Sequence, residues 1–191
     1  VFGFLVLAVA SVFFFTQQSA IPPGWSTYDD FTVPDAGITS VADSSSRWVK
    51  VSGNVRYEAT GGIAIDAPGE FRSGIDMLGY SVEAEIIGRP TGCGQTSSPC
   101  INPGTFTVSL GAASGSASGG SYRDSNNNLV GTEETAVIRF VSDPTTDVVE
   151  VYKNGLFASS VSVTGSSPLR FSGSGKVTKV IFKLPFSCKV Q

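Results

Sequence analysis

Glu83 and Glu85 stand two residues apart. On a strand that spacing puts both side chains on one face. Two carboxyl groups side by side are what glycoside hydrolysis needs about a scissile bond. The same spacing also fits two solvated glutamates on the polar face of a half-buried strand, and that is the preferred reading. Glu133-Glu134 is a second acidic pair, just ahead of a strand-like run, and reads as solvated. Asp124-Ser125-Asn126-Asn127-Asn128 offers hard oxygen donors of the kind calcium takes. Asn and Asp also bond their own backbone and accept left-handed geometry, so a polar turn accounts for the same string.

Other chemistry lacks machinery. Histidine is absent, and there is neither a Gly-x-Ser-x-Gly elbow nor a phosphate-cradling glycine loop. The three cysteines are Cys93, Cys100 and Cys188. They are too few, and wrongly spaced, for a Cys/His metal site. Cys93 and Cys100 bracket a turn-rich stretch that can close as a short disulfide loop, which would require an oxidising compartment. Cys188 lies in an apolar strand-like run and reads as a buried free thiol. No cofactor is expected.

The elements that carry these residues follow from composition. Of the 191 residues 15% are charged and the net charge is -3, with both signs mixed along the chain. No basic stripe exists to neutralise phosphates, which argues against nucleic acid. Abundant Gly, Ser and Thr between short β-prone runs favour an all-β extracellular domain.

The first charged residue is Asp29. Residues 1–15 are apolar on every face, with no amphipathic moment that would dock them on a soluble body. Continued to Ala20 as a helix, the segment would reach about 30 Å, near the thickness of a bilayer core. Pro22-Pro23 would end it, and Trp25 and Tyr28 follow where interfacial aromatics are found. A secretory signal competes, since Gln18-Ser19-Ala20 resembles a cleavage site, but the basic region that precedes such segments is missing. A membrane anchor, a filament-core helix and a donor strand that completes a neighbour's sheet are the other readings.

A long uncharged apolar helix leading into a β-rich head resembles the type IV pilins and their archaeal relatives. The resemblance covers about the first 20 residues. Bacterial members usually carry an acidic residue at the fifth mature position; Leu5 stands there, which points to the archaeal type. The resemblance implies an assembly helix whose packing residues are Val1, Phe2, Phe4, Leu5, Val6, Leu7, Ala8, Val9, Val12, Phe13, Phe14 and Phe15. Gly3, Ala8, Ala10 and Ser11 are small enough for close helix approach.

Beyond Pro34 the sequence breaks into alternating runs separated by Gly, Pro, Asn, Asp and Ser. Strands are expected over 47–52, 55–59, 62–66, 80–87, 105–111, 135–142, 148–153, 156–163, 169–172 and 176–184. Asn154-Gly155 suits a two-residue type I′ turn, so its flanks should form a hairpin. The glycine, serine and alanine stretch 111–121 reads as an exposed loop. Asp29-Asp30-Phe31, the runs 48–65 and 80–86, Val137-Ile138-Arg139-Phe140 leading into the Asn-Gly hairpin, and Pro168-Leu169-Arg170-Phe171 together resemble the concanavalin-type jelly roll of laminin-G-like and legume-lectin-like domains. That fold hosts glycan binders and glycoside hydrolases. Its hydrolases add a third acidic residue in a tight strand motif, whereas Ile86, Ile87 and Gly88 follow Glu85 here, so no catalytic residue is assigned.

The expectation is therefore a mainly β chain: an apolar N-terminal helix over 1–21, a linker over 22–34 and a two-sheet antiparallel β-sandwich head over 35–191. Its function would be that of a non-enzymatic, extracellular pilus-like filament subunit. Copies of itself are the partners, with the membrane before assembly and glycans or surfaces afterwards. The alternative is a membrane-anchored glycan-binding surface or viral spike domain.

Overall fold

Ser81–Gly88 alternates without a break between half-buried and buried positions, the signature of a strand with one face on a core. Val82, Ala84 and Ile86 point inward, while Glu83, Glu85 and Ile87 point out. In the computed structural model the described residues are 21–31, 47–58, 60–91, 103–143 and 145–184. They form twelve strands: β1 (Ser26–Asp29), β2 (Trp48–Tyr57), β3 (Ile63–Asp76), β4 (Ser81–Gly88), β5 (Gly104–Leu110), β6 (Ala113–Arg123), β7 (Leu129–Thr132), β8 (Glu134–Asp143), β9 (Val148–Lys153), β10 (Leu156–Ser162), β11 (Pro168–Gly173) and β12 (Gly175–Lys183).

The strands pair antiparallel in the order β10-β9-β8-β4-β12-β3-β11-β5-β6-β7, with β1 on β12 and β2 on β3. The long strand β3 makes the turn between the two halves: Ile63, Ala64 and Ile65 pair with β12, and the stretch from Glu70 to Asp76 pairs with β11. The sheet thereby curls until β5 and β6 lie over β4, β8 and β9. Between the layers sit Trp48, Phe71, Phe106, Phe140 and Phe171, each fully buried. Phe71 stacks on Phe171 at 4.8 Å, and Trp48 meets both rings edge-on. Burying each such side chain is worth about 1.5–3 kcal/mol.

Several expectations are corrected. The described residues are strands and turns, with no helix among them, so an architecture led by an N-terminal helix gives way to an all-β one. Most of the described strands are runs in which β-branched and aromatic residues recur at a period of two between Gly, Asn and Asp turns. Residues 1–20, including the expected assembly residues from Val1 to Phe15, lie outside the described residues, and Ile21 is not helical. The two expected sheets are one hydrogen-bonded network curled over itself. The stretch 22–34 holds β1, whose Asp29 is buried, accepts Trp48 Nε1–H at 2.6 Å and caps Phe31 N at 2.8 Å.

The stretch 111–121 is mostly β6 rather than a loop. Ala113 and Ala117 are fully buried, and a Cβ on Gly115 would come within 2.6 Å of Ile138 Cγ2. Small residues here let β6 lie close against β8.

Candidate functional site

At one end of the curled sheet the β3–β4 turn and the β8–β9 turn meet around a cleft of about 250 Å³. Asp76, Leu78 and Gly79 come from the first turn; Ser142, Asp143, Asp147 and Val148 come from the second. Local chemistry sets each aspartate. Asp76 Oδ1 accepts Leu78 N at 2.9 Å and Ser167 N at 3.0 Å, which ties the β3–β4 turn to the segment before β11. Burial alone would raise the Asp76 carboxyl, but these backbone donors outweigh it and hold it below the ordinary range. Asp143 Oδ1 accepts Thr145 Oγ1 and N, its Oδ2 accepts Thr146 Oγ1, and the Thr145 bonds lead in depressing its pKa.

Asp147 takes φ 53°, a left-handed conformation that Asp tolerates better than most residues. Its backbone carbonyl accepts Val163 N at 2.8 Å. Among the described residues no donor reaches its carboxylate, and no Lys or Arg pairs with any of the three aspartates. The lining thus presents the open carboxylate of Asp147, and two engaged ones at Asp76 and Asp143, beside the apolar side chains of Leu78 and Val148. It can accept hydroxyl protons and pack carbon-bound hydrogens. The shifts at Asp76 and Asp143 are downward, the reverse of what a general acid at neutral pH requires.

The sequence singled out other residues. Glu83 and Glu85 do share the outer face of β4, but both are engaged: Glu83 Oε2 takes Arg139 Nε at 2.8 Å and Nη2 at 2.5 Å, and Glu85 Oε1 takes Thr178 Oγ1 at 3.0 Å. Gly88 cannot be replaced by a third acid without displacement, since its Cβ would lie 2.3 Å from Ala117 O. Glu134 pairs with Lys153 and accepts Ser118 N at 2.7 Å, while Glu133 lies 2.9 Å from Arg89 Nε without a hydrogen bond's alignment. Asp124 spends its carboxylate on its own loop, accepting Asn126 N, Asn128 N and Asn128 Nδ2. Among the described residues no group of three or more acidic, Cys or His side chains is placed to hold a metal. Cys93, Cys100 and Cys188 lie outside the described residues.

No family model matches the chain, and no curated protein does. Solved structures similar to it include an endo-1,3-β-glucanase from Streptomyces sioyaensis, at 12% identity and a TM-score of 0.45 over 87% of this chain and 99% of that one. The carbohydrate recognition domain of Emp47p is similar at 11% identity and a TM-score of 0.41, over 84% and 97%. The carbohydrate binding module CBM66 from Bacillus subtilis matches at 11% identity and a TM-score of 0.39, over 72% and 92%. The resemblance to pilins is corrected: the described residues contain no helix.

Sequence reasoning missed the cleft. Its residues are separated by more than sixty positions and belong to turns rather than to any motif. The one available signal was an aspartate at or beside each turn.

Proposed function

We propose that this chain is a lectin-like domain, secreted or displayed at a surface, that binds neutral glycans without cleaving them. The observation that carries the reading is the cleft, where the Asp147 carboxylate, which no donor among the described residues reaches, stands beside Asp76, Asp143 and apolar Leu78 and Val148. A sugar ring is itself two-natured, with hydroxyls around its rim and C–H groups on its faces. Ligand sites generally combine a few placed polar groups with apolar walls in this way. Uncompensated carboxylates would repel sialic and uronic acids, so neutral sugars are favoured. The engaged state of Glu83 and Glu85 and the lowered carboxyls of the cleft support binding over hydrolysis. Equilibrium binding to neutral, amino and acidic oligosaccharides, with an assay for new reducing ends, tests this. Saturable binding of neutral sugars with no new reducing ends is expected; no sugar bound, or steady release of ends, would overturn it.

A further inference from the structure

The outer face of the sheet carries a row of aligned side chains. Backbone register places Ile181 on β12 opposite Glu83 on β4, Glu83 opposite Arg139 on β8, Arg139 opposite Tyr152 on β9, and Tyr152 opposite Phe157 on β10. The row crosses four strand spacings, about 19 Å at ~4.8 Å each. Ile181 is buried although it lies on this face, and the Arg139 guanidinium sits 5.4 Å from the centre of the Trp25 ring. At the other end Phe157 is 60% exposed, with its ring 5.8 Å from Tyr152 and nearly perpendicular to it. Exposed Phe157 and half-buried Tyr152, whose hydroxyl donates to Glu150, therefore stand at one end, a half-buried tryptophan at the other, and a neutralised ion pair between them.

That combination suits an uncharged polyol better than an ion. The Glu83–Arg139 pair offers donors and acceptors with no net charge, and the rings offer apolar faces of limited extent. The row also lies on the strands that end at the cleft. From Arg139 to Asp143 on β8, and from Tyr152 to Val148 on β9, is four residues, about 13 Å at ~3.3 Å per residue.

We infer that the outer-face row is a second subsite, so that the ligand is a neutral oligosaccharide running from the cleft along β8 and β9 onto Tyr152 and Phe157. This rests on the glycan-binding reading of the cleft. The test titrates the full chain with linear glucose and mannose oligomers of increasing length, beginning with the methyl glycosides, by calorimetry. It is repeated on Phe157→Ser, an exposed position where folding is not at stake, and on Tyr152→Ser.

The expected result is an affinity that rises with oligomer length, with about tenfold of that rise lost in either variant and methyl glycoside binding unchanged. Oligomers that bind no tighter than the methyl glycoside, or a gain that survives in both variants, would overturn the second subsite while leaving the cleft reading in place. Failure of every oligomer and methyl glycoside to bind would instead overturn the cleft reading, and the subsite with it.

Discussion

Asn154 holds Val137 with two hydrogen bonds: its backbone N–H donates to Val137 O, and its side-chain Oδ1 accepts Val137 N, each at 2.8 Å. The tip of the β9–β10 hairpin is thereby locked onto β8, and the side chain extends the ladder one step past Ile138 and Lys153. Asn154 and Gly155 take φ 52° and 81°, as a type I′ turn requires. Asn154→Ala should cost about 1–3 kcal/mol in urea unfolding, because it leaves Val137 N without that partner and puts at positive φ a residue that tolerates it less well than asparagine does. Asn154→Asp keeps the acceptor and should lose less. Equal losses for the two would show that the side-chain bond is not what matters.

Asp29 is a buried carboxylate at the end of a four-residue strand. It accepts Trp48 Nε1–H and Phe31 N–H, with Arg47 Nη1 at 3.4 Å. Asp29→Ala should destabilise by about 2–3 kcal/mol, since it strands the indole N–H in the core. Near-ultraviolet circular dichroism followed through unfolding would register both the loss and the loosened Trp48. A variant within ~0.5 kcal/mol of the parent, the usual range for surface changes, would contradict this role for Asp29.

Glu58 stands between Arg89 and the nearly buried Lys176, whose Nζ also donates to Thr60 Oγ1. Burial alone would raise the Glu58 carboxyl, but the hydrogen bonds from Arg89 and Lys176 bring it below the ordinary 4.5. The folded chain therefore takes up this proton less readily than the unfolded one. The resulting stabilisation is complete above the ordinary value and is lost as pH falls through the lower, folded one. Glu58→Gln should be less stable by about 3 kcal/mol at neutral pH, because Lys176 keeps its charge without its partner. It should also lose stability less steeply on acidification, as read from denaturant midpoints between neutral pH and the acid limb. An unchanged acid limb would refute the assignment.

The fold was legible in sequence where side-chain size carried the signal. β4, β8 and β9 alternate apolar and polar residues, and Asn154-Gly155 marks its turn by chemistry. It was illegible where packing demanded small residues. Gly115 and Ala117 show no alternation in hydrophobicity, because what β6 provides is room for Ile138 and its neighbours rather than bulk. β1 is too short for periodicity, and its anchor Asp29 has the composition of a loop residue. The expected break at 53–54 and the expected strand end at 66 vanish because β2 and β3 run on through them, with register shifts instead of turns. Glu83 and Glu85 were rightly placed on one face, but their partners Arg139 and Thr178 come from strands far along the chain. The cleft depends on two turns whose nearness only the curled sheet decides.

The most direct test of the glycan-binding reading is the affinity of Asp147→Gly for the neutral sugar that the parent chain binds, measured by calorimetry. Glycine accepts the φ of 53° found there, so the substitution removes the carboxylate without straining the turn. Loss of a charged acceptor should weaken binding at least about tenfold, with the unfolding midpoint of the domain unchanged. Undiminished affinity in a folded Asp147→Gly chain would place the sugar elsewhere and contradict the account of the cleft.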